Sequence, residues 1–369
     1  MAASTPVRTL HGWDGSATTD YQLALTVFSG QVLEAFRAKT KFWDNTGNIM
    51  AVKQLDGGRT AQWPIIGDDI DLFSTSTGGV TKGYHTPGDE LLGQDIKMSE
   101  ATITVDDVLV AQVDVPFADL DLNHFDVIQP YAVKLGRSLA IDLDKKCAAV
   151  AITSARTAAV ANIHAGGNRV STDSSSASAL SDYYSNDSTG SGRFRDNAAD
   201  LARLMDEDNV PEDGRNLFIG PYIRMVLRHE GSVWGAAGSS SVLLPGPAGN
   251  PFSKDTNSAP WDLNNRVIGT LEGFNVILTN HIPSSNVTGH TFTKYNVTCD
   301  GSSTDGDRLA AVALCGAQEG AAGIGMVQAS GLRTVIQDDE RRNTKFMKAQ
   351  IMVGIDKLAP WSAGTIGIF

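Results

Sequence analysis

Seven histidines, three cysteines and a few clustered carboxylates are the residues through which this chain could do chemistry. The run Asp119, Asp121, Asn123 imitates the opening of a calcium loop. His124 stands where that loop needs a glycine for its sharp turn, and Pro130 where the bidentate glutamate belongs, so the donor set is incomplete. His11, His85, His124, His164, His229, His281 and His290 never pair at metal-ligand spacing. Cys147, Cys299 and Cys315 are odd in number and far apart, which suits buried free thiols better than a disulfide framework or a four-cysteine metal site. Asp338, Asp339 and Glu340 could form a paired acid site, but Arg341 and Arg342 follow at once. Opposite charges side by side make a solvated face or a salt bridge between subunits more readily than a catalytic pair. The chain carries no GxxxxGK[ST] phosphate loop, no GxSxG nucleophile turn and no HExxH zinc helix. The residues therefore point away from catalysis and call for no metal or cofactor.

The elements that would position these residues are more informative. Asp20 is placed to cap a helix over 21–38, with Leu25, Phe28, Val32 and Phe36 at steps of three and four. Strand-like runs follow at Met50–Leu55, Thr60–Ile66, Thr102–Val105 and Leu109–Val115, around a glycine-, serine- and threonine-rich middle, 74–93. They read as one long β-hairpin with an extended tip, a feature that gives a single chain little core and invites pairing with another. Trp63 and Pro64 fall inside it. A proline lacks the N–H that a central strand must donate, so this is an edge strand, with contact to a neighbouring chain as the sharper reading.

The clearest helix carries Tyr131, Leu135, Leu139, Leu143, Cys147 and Ala151 every fourth residue, interleaved with Lys134, Arg137, Asp142, Lys145 and Lys146. Asp126 and Gln129 suit a capping box and Pro130 a first turn, and about 25 residues would make a rod of roughly 38 Å. The segment 166–192 reads as a polar surface loop. Asn197 is placed to cap a helix ending before Asn209, Val210 and Pro211, followed by a strand Asn216–Ile219 and a helix opened by Pro221. Paired strands are expected over 267–279, turning at Glu272 and Gly273, and a polar insertion over 286–306. Further strands are expected at Leu309–Leu314, Ile324–Gln328, Leu332–Gln337 and Lys348–Ile355.

Composition bounds the rest. The 369 residues are too many for one hydrophobic core, and 41% hydrophobic with 20% charged residues is ordinary soluble usage. No apolar run is long enough to span a bilayer, and no leader is visible at Met1–Leu10, so no membrane association is expected. A formal charge of −12 disfavours tight binding to nucleic acid; only Arg341 and Arg342 with Lys345 and Lys348 approach a basic cluster.

The order of these elements resembles a known family. Leu25, Val27, Phe28, Gly30, Val32, Leu33, Ala35 and Phe36, then Gly58, Ala61, Gln62, Trp63, Pro64 and Gly67, are similar to the start of major capsid proteins of podovirus-type, short-tailed bacteriophages. Ile103, Thr104, Val105, Asp106 and Leu109, then Asn123, His124, Phe125, Asp126 and Val127 and the helix from Tyr131 through Leu139 and Ala140, look like that family's hairpin exit and spine helix. Asn209, Val210, Pro211, Arg215, Phe218 and Pro221, then Gly273, Phe274, Val276 and His281, resemble its next domain. Glu340, Arg341, Arg342, Phe346, Gly354, Leu358, Pro360, Ala363 and Gly364 are similar to its tail. The polar segments 166–192 and 286–306 lie outside the resemblance.

The resemblance implies an α+β protein with the tailed-phage (Johnson-type) capsid fold: an N-terminal arm and helix (1–45), an extended loop (46–105), a peripheral domain on the spine helix (106–195), an axial domain (196–334) and a segment returning to the peripheral domain (335–369). It implies a structural subunit, not an enzyme, that builds pentamers and hexamers of an icosahedral head. Scaffolding protein and portal would be its partners in the host bacterial cytoplasm, and packaged double-stranded DNA would lie inside the virion without sequence-specific contact. Trp63, Pro64, Lys82, Tyr84, Arg341 and Arg342 become candidates for contact between subunits. Gly78, Gly79, Gly83, Gly88 and Gly93 become candidate hinges for procapsid expansion. Some relatives of this fold join subunits by lysine–asparagine bonds, and Lys82 is the lysine placed for it. A cargo-enclosing bacterial nanocompartment of the same fold is the alternative, and a β-rich hydrolase a more distant one.

Overall fold

The computed structural model of the chain describes residues 31–36, 39–43, 49–66, 80–81, 84–85, 98–122, 128–160, 163–171, 194–230, 267–299, 308–316 and 322–368. A helical segment α1 (31–36) is what this leaves of the helix expected over 21–38. Strands β1 (Ala51–Gln54), β2 (Thr60–Ile66), β3 (Val80–Thr81), β4 (Tyr84–His85), β5 (Met98–Thr104) and β6 (Leu109–Pro116) follow, then helices α2 (Phe117–Leu122) and α3 (Ile128–Ala155). After them come β7 (Asn168–Ser171), α4 (Phe194–Glu207), β8 (Arg215–Ile219), α5 (Pro221–Glu230), β9 (Val267–Leu271) and β10 (Phe274–Leu278). β11 (Arg308–Cys315), β12 (Ile324–Asp339), β13 (Thr344–Lys357) and β14 (Ala363–Ile368) complete the chain.

The four runs read as one hairpin divide between two structures. Only β2 and β5 form the hairpin, in antiparallel register from Thr60 opposite Thr104 to Ile66 opposite Met98. The outer pair belongs to a four-stranded sheet, β1-β12-β13-β6, with β1 parallel to β12 and β6 antiparallel to β13. Burial explains the division. Leu109, Ala111 and Val113 on β6 are half-buried against the main core and Val115 is buried, whereas β5 buries only Ile103. A two-stranded ribbon with one buried residue in its second strand cannot hold a core of its own.

The second sheet has six strands in the order β7-β14-β11-β8-β10-β9, with α4 packed on it. Glu272 (φ 45°) and Gly273 (φ 84°) make the two-residue turn between β9 and β10, as their types suggest: both central residues of such a turn need positive φ.

Helix α3 touches strands of both sheets. Leu135, Leu139, Leu143, Cys147 and Ala151 of its fourfold repeat are buried and Tyr131 is half-buried. Towards its C-terminus Ala148, Ala149, Val150, Ile152 and Ala155 are buried as well, so the rod passes from a one-sided helix to an enclosed one. Small alanines there let backbone from two directions come close. Its 28 residues span about 42 Å at 1.5 Å per residue.

Several expectations need correction. Asn197 is no cap: α4 starts at Phe194, whose ring is fully buried, and Asn197 lies buried within the helix. The segment 166–192 is not all loop, because Asn168–Ser171 pairs in parallel with β14 and buries Val170; residues 172–193 lie outside the described residues. The polar insertion is anchored, with Tyr295, Val297 and Cys299 in the main core. The runs 324–328 and 332–337 are one strand, β12, whose register against β13 shifts between Gln328 and Arg333. The chain crosses between the sheets near its end, with β12 and β13 in the four-stranded sheet and β14 in the six-stranded one. The expected cap at Asp126 lies outside the described residues.

Candidate assembly surfaces

The hairpin is fixed at its base by backbone approach. A β-carbon at Gly354 of β13 would lie 2.1 Å from the Thr104 carbonyl oxygen, so only glycine lets β5 cross there. Val105 N–H donates to the Arg59 carbonyl at 2.8 Å and Asp106 N–H to that of Val353 at 3.2 Å. Trp63 is 3% exposed and packs with Ala61, Ile103, Val327 and Leu358 of its own chain, with the Lys53 ammonium 4.4 Å from its ring centre. Its neighbour Pro64 is exposed. Tyr84 opens the short strand β4 opposite Thr81. Lys82, Gly78, Gly79, Gly83, Gly88 and Gly93 lie outside the described residues.

Next to that base the polar insertion forms a clamp. The Asp106 carboxylate accepts from the Lys294 ammonium at 2.8 Å and from the Tyr295 hydroxyl. Burial, reinforced by the hydrogen bond to Asp106, pushes the Tyr295 phenol far above its ordinary range, so it stays a neutral donor. Lys146 of α3 lies 5.6 Å from the same ring. The clamp thus joins the foot of the hairpin to the spine helix.

A second junction ties the N-terminal arm to that helix. A β-carbon at Gly136 would sit 2.4 Å from the Val32 carbonyl oxygen, so α1 crosses α3 at a point only glycine permits. Two turns on, Asp144 is fully buried. Its carboxylate accepts the Lys41 N–H at 2.6 Å, the Phe42 N–H at 3.3 Å and the His281 Nδ1–H at 2.9 Å, the proton assigned to Nδ1 because the partner is a carboxylate. Phe42 then stacks on Phe218 of β8, ring centres 4.0 Å apart. One buried charge therefore joins the arm, the rod and the loop after β10. Sequence reasoning missed it, although a signal exists: Asp144 shares a helix face with Ala140, Cys147 and Ala148, an apolar setting that a carboxylate occupies only when paired.

At the far end of the four-stranded sheet, Arg341 and Arg342 are exposed in the turn between β12 and β13. Asp339 accepts the Arg341 N–H at 3.0 Å and lies 3.9 Å from the Arg342 guanidinium, and Lys345 lies 3.6 Å from Asp338. Asp338 and Asp339 are thus matched by Lys345 and Arg342 of the same group, while Arg341 contributes its backbone N–H. Asp119 and Asp121 fall in helix α2 rather than in a loop. Among the described residues no three His, Cys, Asp or Glu side chains gather to hold a metal, and no helix is long and apolar enough to cross a membrane. Burial, with the Asp144 charge nearby, raises the Cys147 thiol well above its ordinary value, which favours the protonated thiol at neutral pH.

Residues 74–236 match the family model described as Gp10A-like, major capsid protein. The major capsid protein of Escherichia phage T7 is 35% identical over 124 residues, which are 33% of this chain and 32% of that protein; the matched segment is thus about a third of the relative's length. Two solved capsids share the fold over most of the chain. That of cyanophage P-SCSP1u superimposes with a TM-score of 0.61 at 24% identity, covering 87% of this chain and 86% of its own. That of the mature capsid of bacteriophage PhiM1 gives 0.57 at 15%, covering 89% of each. The fold is that of tailed-phage capsid proteins, and the resemblance to short-tailed-phage capsid proteins read from the sequence is borne out.

Proposed function

We propose that this chain is the major capsid protein of a short-tailed bacteriophage, the subunit that tiles an icosahedral head around double-stranded DNA. The observation that carries this reading is the β2–β5 hairpin, held at its foot by a two-sheet body whose fold corresponds to phage capsid subunits. Ser99, Glu100, Thr102 and Thr104 of β5 are exposed, and Met98 is 69% exposed. An exposed ribbon of this kind is cheap for a monomer only if a neighbour covers it.

Association would be heterologous, one patch meeting a different patch on the next copy, and closing around local fivefold and sixfold axes. Pro64 lies on the hairpin that would reach the neighbour, the candidates Tyr84 and Lys82 fall between its two strands in the sequence, and Arg341 and Arg342 stand at the opposite tip of the four-stranded sheet. Each contact can be weak because many form together. Trp63 serves the hairpin's attachment to its own body. Hinging at Gly78, Gly79, Gly83, Gly88 and Gly93 would let the ribbon follow a rigid-body rotation when the shell expands. Scaffolding protein and portal are the assembly partners on this reading. A formal charge of −12 keeps the shell from gripping the DNA it encloses. The T7 relative favours a phage head over a nanocompartment.

Electron microscopy of the purified chain, alone and co-expressed with the scaffolding protein of its own genome, tests the proposal. Closed shells, or sheets and tubes of hexamers, are expected. A persistent monomer in both preparations overturns it.

A further inference from the structure

Among the described residues nothing covers one face of helix α3, and its side chains are ordered in a way that a merely solvated face does not require. Two rows run along it at four-residue steps, about 6 Å apart per step. The first is Val133, Arg137, Ile141 and Lys145; the second is Lys134, Ser138 and Asp142. Apolar and cationic side chains therefore alternate along the first row. Val133 is 42% exposed and Ile141 half-buried, while Arg137, Lys145 and Lys134 are exposed. Between the rows lies a hollow of about 440 Å³ lined by Lys134, Arg137, Ser138, Ile141, Asp142 and Lys145. Its one carboxylate, Asp142, is already matched by Lys146 at 3.0 Å. The three other cations have no ion-pair partner among the described residues. In a chain of formal charge −12 this is a local inversion of sign.

We infer that this face of the spine helix is a docking groove for an acidic amphipathic helix of an assembly protein. A helical partner has the same repeat as the groove, so carboxylates and apolar side chains alternating every four residues meet Arg137 and Lys145, and Val133 and Ile141, in register. Double-stranded DNA supplies charge alone and nothing for the two apolar side chains. Exposed ion pairs are individually weak and screened by salt, so such a partner attaches through several of them and leaves again. That is what an assembly factor absent from the finished shell must do. The partner's role rests on the capsid reading; the groove's chemistry does not.

The test uses the full-length protein and two fluorescent probes: a synthetic helix alternating Glu and Leu at four-residue steps, and a short duplex DNA. Fluorescence anisotropy at low salt reads both affinities. The combined variant Lys134→Glu, Arg137→Glu, Lys145→Glu should weaken the peptide about tenfold or more, and Ile141→Ser by several-fold without matching loss for the duplex. Circular dichroism establishes that both variants fold. Peptide binding indifferent to charge reversal overturns the inference. So does an Ile141→Ser variant that binds the peptide normally while charge reversal weakens peptide and duplex alike, which would make the face a general polyanion surface. Electron microscopy of the same wild-type sample separates the two proposals: peptide binding without shells sinks only the capsid reading, and shells that ignore the peptide sink only the groove.

Discussion

The two parts of helix α3 differ in sequence, one charged and one built of small apolar residues, and they meet different surroundings. From Ile128 to Lys146 the helix buries one face, exposes Lys134, Arg137 and Lys145, and is held by polar and backbone contacts at Gly136 and Asp144. From Cys147 to Ala155 it is enclosed almost all round by strands of both sheets. The C-terminal part is fixed by packing on nearly every side, the N-terminal part by one buried face, Leu135, Leu139 and Leu143, together with a few directed bonds. The charges stand on the half that is free to be approached, and the alanines on the half that must be packed.

Substitutions can break that contrast. Ile152→Ala in the enclosed half should have the largest effect, about 3–4 kcal/mol, since strands on both sides hinder collapse of the cavity; urea unfolding of the unassembled subunit measures it. Asp144→Ala should cost about 3 kcal/mol in the same assay, because the Lys41 and Phe42 N–H groups and His281 lose their acceptor together. Protease cleavage of the arm near residue 40 should rise with it, which Ile152→Ala need not cause. A variant as stable as the native chain would mean that water replaces the carboxylate.

Tyr295→Phe is a smaller change, about 1 kcal/mol at neutral pH, with a signature in alkali. The phenol's folded pKa is raised, chiefly by burial, so its share of the stability is complete below the unfolded value of about 10 and is lost as pH climbs above it. The native protein should therefore weaken above pH ~10 more steeply than Tyr295→Phe does, and equal slopes would refute the clamp's burial. Lys145→Ala closes the series: a shift within about 0.5 kcal/mol is expected, since the side chain is exposed. A loss comparable to that of Asp144→Ala would erase the distinction between the halves.

Much of the fold was legible beforehand where local chemistry decides structure. Glu272 and Gly273 turn where expected, Pro221 opens a helix, and the fourfold repeat from Leu135 to Ala151 is the buried face of α3. What was misread shares one cause. β1 and β6 have the same texture as β2 and β5, and nothing local says that their partners lie more than two hundred residues away in β12 and β13. Phe194 and Val170 sit in polar stretches, and their burial depends on a sheet assembled from distant strands.

The candidate surfaces divide in the same way. The pairing of Arg342 and Lys345 with neighbouring acids was visible as adjacent charge, and Trp63 as an aromatic in the hairpin. Whether Trp63 faces a neighbour or its own core is a matter of packing, and the structure places it in the core. By itself the sequence determined the element types, the one-sided rod, the acidic balance and the resemblance to a shell-forming family, because these follow from residue type and spacing. Tertiary structure alone decided that Asp144 gathers the arm, the rod and the His281 loop, and that Asp106 meets Lys294 and Tyr295. Those partners are separated by between about one hundred and two hundred positions, and a hydrogen bond depends on distances of a few ångströms that no sequence interval encodes.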